Sequence, residues 1–362
     1  MEEKKFDVKK ALDERLLTGT LIALARKKMV PIHKHSIWYY MGALLLTLFM
    51  IQMVTGPVLL FYYKPAAETA YQSIAEIMVK VPYGWLIRSV HHWSSNLMIM
   101  IAFVHFFSTF LVKAYRRPRE FTWLTGMVMF LLVLFLGYTG YTLPYDERAF
   151  FALNVGTDMP GAIPVVGEYV LKFLRGGENV GLHTLNRFFA LHVGVLPLAL
   201  LAVLAIHIVM VQLHGMSIPV SVEKKAGAEK RKIPAKPMFP HFVWHDAING
   251  LLLVGLLFTL AVCMPSELGP VIDYLKPAPV GVKPDWFFLW VYQILKWIPT
   301  YVLGIEGEIL GITGLALVAG AIFCAPFIDW KSQRNERSPL FTIFGLVSLL
   351  VFLVFTAIGF FF

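Results

Sequence analysis

Two apolar segments carry the strongest structural signal in this chain: GWLIRSVHHWSSNLMIMIAFVHFFSTFLV at residues 84–112 and RFFALHVGVLPLALLAVLAIHIVMVQ at residues 187–212. Each is longer than the about 20 residues that a helix needs to cross a bilayer. Both segments also contain widely spaced histidines, although an ionisable side chain is costly to bury in a membrane. They therefore predict membrane helices whose function requires histidine.

The histidines repeat at nearly the same interval in both segments. His91 and His105 are 14 residues apart, and His192 and His207 are 15 apart. At about 100° per residue, each pair returns to within roughly 40–60° of one helix face, with its members about 21–23 Å apart along the axis. Two parallel helices of this kind would place His91 opposite His192 and His105 opposite His207. Facing imidazoles are the ligand set of a six-coordinate heme, so the spacing predicts iron sites at two depths.

Two other interpretations of these histidines are weaker. Polar side chains can simply join membrane helices, but four histidines in two pairs at matched depth are unlike chance packing. Zinc requires ligands within a few ångströms of one another, whereas the two predicted levels are about 2 nm apart. Two non-covalent hemes b are therefore the cofactors that we predict.

Glycines recur at the same interval in two further apolar segments. Gly42 and Gly56 are 14 residues apart, and so are Gly126 and Gly140. A flat macrocycle needs close backbone approach at two levels, and glycine leaves that room. Helix packing through small residues is the alternative, but the match to the histidine spacing favours heme contacts.

Two arginines precede the histidines at the outer helix ends. Arg88 lies three residues before His91, and Arg187 lies five residues before His192. We predict that they pair with heme propionates. The alternative is that they are ordinary interfacial anchors.

The composition supports an all-α transmembrane fold. Hydrophobic residues make up 57% of the 362 residues and charged residues only 15%, against about a quarter in soluble domains. We predict seven helices, namely a four-helix heme-binding bundle plus a three-helix C-terminal part. The predicted spans are roughly 38–63, 84–112, 122–143, 187–212, 244–264, 302–327 and 340–362.

The hydrophilic segments divide the chain further. We predict that 1–37 form an amphipathic helix on the cytoplasmic membrane surface, with a charged, partly disordered tail as the alternative. Residues 213–240 read as a basic linker between a four-helix domain at 38–212 and a three-helix domain at 241–362.

The basic residues indicate the topology. The net charge is +9, and 22 of the 32 Lys and Arg residues fall in four hydrophilic regions that share one side if the chain crosses seven times. The positive-inside rule then predicts a cytoplasmic N-terminus and a C-terminus across a bacterial-type inner (cytoplasmic) membrane. This charge favours anionic lipid. Nucleic acid is excluded as a partner, because no binding fold accompanies the charge.

Four motifs resemble those of cytochrome b subunits of cytochrome bc-type complexes, which oxidise quinol. They are YGWLIRSVH at 83–91, TLNRFFALH at 184–192, GYTLP at 140–144 and PDWF at 284–287. The resemblance covers about residues 28–345. The 15-residue histidine spacing and the linker are similar to the chloroplast and Gram-positive branch, with its two split subunits fused in one chain.

The resemblance implies a function. Quinol is oxidised at an outer site, one electron passes to a Rieske iron–sulfur protein, and the other passes through two hemes b to an inner quinone site, with proton translocation (a Q-cycle). It also implies a c-type cytochrome subunit or an equivalent acceptor, and a homodimeric complex. The aspartate and phenylalanine in PDWF are similar to those of menaquinol-using bacteria, which favours menaquinone. The chloroplast branch attaches a third heme to a cysteine, but no cysteine lies near Tyr39 and Tyr40, so we expect no covalent third heme.

The resemblance also implies the quinone-site residues. Asp285 and Tyr141 are the predicted catalytic groups of the outer site, with Pro284, Trp286 and Phe287 binding quinol. Asp285 could instead only cap a helix. Asp246 is the predicted acid of the inner site, although an acid at a helix N-terminus also favours the helix dipole. Gln212 and His214 are weaker candidates there.

Two rival functions are less consistent with the sequence. A diheme membrane anchor of a quinone-linked dehydrogenase or reductase also uses paired histidines, but the PDWF segment argues against it. A transporter with intramembrane histidines would show inverted repeats and broken helices, and the sequence contains neither.

Overall fold

A computed structural model describes residues 28–163, 165–274 and 281–362, and this part of the chain is mostly helical. Most of the amphipathic helix predicted at 1–37 falls outside the described residues. The principal helices are α1 (Met41–Leu60), α2 (Ala70–Val79), α3 (Gly84–Leu111), α4 (Glu120–Thr142), α5 (Glu147–Gly161), α6 (Gly167–Arg175), α7 (Leu182–His214), α8 (Val220–Ala228), α9 (Val243–Cys263), α10 (Leu289–Trp297), α11 (Gly307–Phe323) and α12 (Pro339–Phe361).

Six helices in the described residues are long and apolar enough to cross a membrane, namely α1, α3, α4, α7, α9 and α12 with their short extensions. The helix predicted at 302–327 begins later than expected. Tyr301–Val302 and Ile305–Glu306 instead form an antiparallel hairpin, β3–β4, and α11 has only 17 residues. The cause is local, because Leu303 and Gly304 at the turn both adopt positive φ, as two-residue hairpin loops require.

Helix α3 is the centre of the bundle. It packs against α1, α4, α9 and α12, while α4 packs against α7. Its inward-facing positions are aliphatic and aromatic, and Phe103 stacks on Phe352 of α12 with ring centroids 4.3 Å apart. The first four spans and the C-terminal spans therefore share one core.

The hydrophilic linker contains regular structure. Residues 220–228 form α8, and Ala235–Pro237 form strand β2. This strand pairs antiparallel with β1 (Met29–Pro31), with Val30 opposite Lys236. The segment before the first span is thereby joined to the segment before α9.

The connection between α4 and α7 contains two helices, α5 and α6. Its sequence is more apolar than that of an ordinary solvent-exposed loop. Helix α5 begins at Asp146, whose carboxylate accepts a hydrogen bond from the Ala149 backbone at 2.9 Å. Helix α6 ends at Gly176 in the left-handed conformation. Both helices pack over the end of the bundle that carries His91 and His192.

Candidate functional site

His91 and His192 face each other between α3 and α7. Their ring centroids are 6.3 Å apart, with an interplanar angle of 80°. This separation leaves room for one metal ion between the rings, because metal–imidazole bonds are about 2 Å long. His192 lies in a π-helical turn, Leu191–Val195, within α7, a distortion that is frequent at functional sites.

Threonine hydroxyls orient both of these imidazoles. Thr55 Oγ1 lies 2.8 Å from Nδ1 of His91, and Thr139 Oγ1 lies 3.1 Å from Nδ1 of His192. Each hydroxyl donates its own proton to the carbonyl four residues earlier in its helix. Each oxygen is therefore an acceptor for the ring, which assigns the proton to Nδ1 and leaves Nε2 as a free metal ligand.

The second histidine pair is asymmetric. Thr125 Oγ1 lies 2.9 Å from Nδ1 of His207, in the same arrangement as the outer threonines. Nδ1 of His105 is buried and has no hydrogen-bond partner among the described residues. This pair therefore lacks the full set of hydrogen bonds that the outer pair has.

Three of the four predicted glycines lie directly against these rings. A Cβ atom added at Gly140 would lie 2.6 Å from Cε1 of His192. At Gly56 and Gly126 it would lie 3.4 Å from Cε1 of His91 and of His207. Gly42 has no such neighbour within 4 Å. Close helix approach at these points brings each threonine within reach of its imidazole.

The ligand set fits a macrocyclic cofactor better than a bare ion. Among the described residues, no group of three or more His, Cys, Asp or Glu side chains could hold a metal. Two facing imidazoles therefore need a partner that supplies the remaining donors. A heme would supply them, and the two histidines would hold it.

A cavity of about 770 Å³ opens at the end of α3 that carries His92, the residue next to His91. This is within the usual size range of ligand sites. Its described lining comes from α3, the start of α5, Pro270, residues 281–289 and the end of α12, and includes His92, Asn96, Arg148, Pro284, Asp285 and Trp286.

Asp285 makes two contacts at this cavity. Its Oδ1 atom accepts a hydrogen bond from Arg148 at 3.0 Å and from the Trp286 backbone at 3.2 Å, which caps the 3-10 helix Trp286–Phe288. The Trp286 indole donates to Asn96 Oδ1 at 2.7 Å. Asp285 therefore does cap the 3-10 helix, and its carboxylate also faces the cavity.

The other predicted outer residues lie behind this wall. Phe287 is 2% exposed and packs against Gly137 of α4. Tyr141 contacts the Phe287 ring edge-on, with centroids 6.2 Å apart, and its hydroxyl lies against the Asp285 backbone. Neither is among the described lining residues.

The predicted inner residues contain unsatisfied polar atoms. Oδ1 of Asp246 and Nδ1 of His214 are buried without a partner among the described residues. Gln212 instead accepts hydrogen bonds from Lys28, at 2.5 Å to its side-chain oxygen and 2.8 Å to its carbonyl. Tyr40 stacks on Phe242 next to Asp246, with centroids 4.9 Å apart.

The two predicted propionate partners contact loop carbonyls. Arg88 donates to the carbonyls of Ser266 and Glu267. Arg187 donates to those of Lys172 and Phe173. Propionate pairing by either arginine stays a prediction.

Sequence reasoning missed the threonines and Arg148. A signal for the threonines was present, because Thr55, Thr125 and Thr139 each directly precede a glycine of the 14-residue repeat. No such signal exists for Arg148, which lies 137 residues before Asp285.

Two family models match the chain. Residues 26–215 match "Cytochrome b/b6/petB" and residues 275–361 match "Cytochrome b(C-terminal)/b6/petD". The chain belongs to the cytochrome b/b6 family. The family implies heme b, and both models on one chain confirm the predicted fused type.

Relatives and a solved structure agree. This cytochrome b is 44% identical over 335 residues to a cytochrome bc complex cytochrome b subunit of Chlorobaculum thiosulfatiphilum, covering 92% of this chain and 76% of the relative. It is 42% identical to cytochrome b6 of Prochlorococcus marinus (strain AS9601), covering 57% of this chain and 94% of that one. A chain of a hyperthermophilic respiratory Complex III matches with a TM-score of 0.84 at 26% identity, covering 97% of this chain and 90% of that chain. The protein is therefore the cytochrome b subunit of a bc-type complex, an oxidoreductase.

Proposed function

We propose that this cytochrome b holds two hemes b and oxidises a quinol, with menaquinol favoured, at its outer cavity. His91 and His192 hold the outer iron, and His105 and His207 hold the inner iron. The observation that carries the proposal is the facing outer pair, 6.3 Å apart, with both rings oriented for ligation by threonine. When bound, the hemes supply one-electron carriers at two depths.

The chain contributes orientation and close approach to these cofactors. The threonines keep Nε2 of their histidines unprotonated, so that no proton has to leave before iron binds. The glycines allow the helices to approach the rings. Arg88 and Arg187, at the outer helix ends, remain our proposed propionate partners. They would exchange their hydrogen bonds to loop carbonyls for bonds to the propionates.

At the outer site, we assign proton acceptance from quinol to Asp285. Its partner Arg148 is 55% exposed in its side chain, and exposed ion pairs contribute only about 0.2–1 kcal/mol. The ion pair with Arg148 therefore keeps the Asp285 carboxylate at the cavity but is weak enough to break. Trp286, fixed by Asn96, forms an apolar wall, while Tyr141 and Phe287 support the segment from behind.

At the inner site, Asp246 and His214 supply buried polar atoms that have no hydrogen-bond partner within residues 28–163, 165–274 and 281–362. Buried polar groups are normally hydrogen-bonded, so these atoms support a polar ligand such as a quinone carbonyl or a water that relays protons. Gln212 borders this site through its bond with Lys28.

The proposed topology has seven crossings, with α11 as the sixth. Its 17 residues are short for a bilayer. The exposed side chains of Leu303 and Ile305 in the preceding hairpin lengthen the apolar surface of this segment. The N-terminus is then cytoplasmic and the C-terminus lies across the membrane. We propose a Rieske protein, and a c-type cytochrome or equivalent acceptor, as partners in a dimeric, proton-translocating complex.

Heme stoichiometry in the purified complex is the first test. A pyridine hemochrome assay is expected to give two hemes b per chain, and redox-titrated visible spectra two separate midpoints. One heme or none would contradict the proposal. The same complex should reduce an acceptor when quinol is added, whereas two hemes without that activity would instead support a diheme anchor.

A glycine substitution tests the outer ligand geometry. Gly140→Ala places a methyl group 2.6 Å from Cε1 of His192, so the ring must move. Such overpacking typically costs about 1–3 kcal/mol, and we expect a large loss of outer heme in the spectra. Gly255→Ala is the control, because that glycine lies in α9 with no neighbour within 4 Å. Equal heme content in both variants would argue against the predicted contact.

A further inference from the structure

A threonine–glycine pair lies against three of the four histidines. The pairs are Thr55-Gly56 at His91, Thr139-Gly140 at His192 and Thr125-Gly126 at His207. In each pair the glycine allows the approach and the threonine hydroxyl lies within hydrogen-bond distance of Nδ1. Backbone carbonyls of Leu136 and Thr122 also lie against the rings of His192 and His207. The recurrence on two different helices indicates a shared role.

The fourth histidine breaks the pattern. Helices α1 and α3 are antiparallel, because Thr55 bonds His91 while Gln52 bonds Ser94. Moving 14 residues along both helices places Met41-Gly42 at the level of His105. Methionine offers no hydroxyl there, and Nδ1 of His105 is buried with no partner in the part of the chain that the structure describes.

We infer that Thr55, Thr125 and Thr139 set the electron donation of three of the four heme ligands. The inference rests on the proposed heme ligation. A hydrogen-bond acceptor at Nδ1 raises the basicity of the ligating nitrogen. A more basic ligand stabilises ferric over ferrous iron, so each threonine should lower the midpoint of the heme whose ligand it contacts.

The inference predicts opposite effects at the two levels. Thr139→Val keeps the shape and removes the hydroxyl acceptor, while the Leu136 carbonyl next to His192 remains. The outer heme midpoint should rise, and the equilibrium constant for moving an electron from outer to inner heme should fall by up to roughly fivefold, the value of one hydrogen bond. Thr125→Val should raise that constant by a similar factor. General damage to the bundle would not produce opposite signs.

The experiment is a potentiometric titration of the purified complex, monitored by visible and EPR spectra. Thr139→Ser and Thr125→Ser should restore both midpoints, because serine keeps the hydroxyl. Thr259→Val is the control, since Thr259 bonds only the Gly255 carbonyl on the exposed face of α9. Unchanged midpoints in both valine variants, with two hemes present, would overturn the inference and leave the ligand assignment intact. Absence of the hemes from the unmodified complex would instead contradict the proposed function.

Discussion

The His192→Ala variant is expected to retain one heme b per chain and to lose quinol oxidation. Removing this imidazole leaves His91 as a single ligand, opposite an empty space. Loss of a residue that merely supports a metal ligand costs about 10–100-fold in affinity or activity, so loss of the ligand itself should cost more. A hemochrome assay and reduced-minus-oxidised spectra of the purified complex measure the result, and the surviving signal should be that of the inner heme.

His207→Ala is the reciprocal variant. It should remove the inner signal and leave the outer one, because the two histidine pairs lie at different depths of α3 and α7. His183→Ala is the control, since that exposed histidine lies on α7 nine residues before His192. A chain that retains both hemes after either ligand substitution would contradict the proposed pairing.

The approach of His91 to His192 was predictable from the sequence because helix periodicity is rigid. A 14- or 15-residue interval fixes both the face and the depth of a side chain, so the approach of His91 to His192 needed only the assumption of parallel helices. The glycine repeat predicted room for a macrocycle, which stays a prediction for all four glycines. Among the described residues, Gly56, Gly126 and Gly140 lie against histidine rings, and nothing lies within 4 Å of a Cβ added at Gly42.

Contacts between segments distant in sequence were less predictable. The PDWF motif indicated the outer site. The hydrogen bond from Arg148 to Asp285 was not predictable, because it joins two segments between helices that meet only when the helices have packed. Phe287 and Tyr141 were predicted at the quinol site, whereas the structure gives them packing contacts behind the cavity wall. The hairpin before α11 was missed because its apolar residues Val302, Leu303 and Ile305 are equally consistent with a membrane helix.

Asp285→Asn is expected to lower quinol oxidation by about a hundredfold or more, since a positioned general base typically contributes 10²–10⁴-fold. Asparagine is as good a helix cap as aspartate, so the 3-10 helix at Trp286 should persist. The variant therefore separates the two roles of Asp285, because it keeps the cap and removes the proton acceptor. Steady-state turnover with a soluble quinol analogue measures the loss, and thermal unfolding of the complex checks that the fold is retained.

Asp146→Asn provides a matched control. Oδ1 of Asp146 caps α5 through the Ala149 backbone, and Oδ2 accepts from the Gly269 backbone, so asparagine keeps one of these two bonds. Asp146 is not among the described residues that line the cavity. If Asp285 acts only as a cap, both asparagine variants should oxidise quinol at nearly the unmodified rate. A large loss confined to Asp285→Asn, with both hemes and the unfolding temperature unchanged, would instead identify this carboxylate as the outer proton acceptor. Asp285→Ala should then be no slower than Asp285→Asn but less stable, by the about 1 kcal/mol that a helix cap contributes.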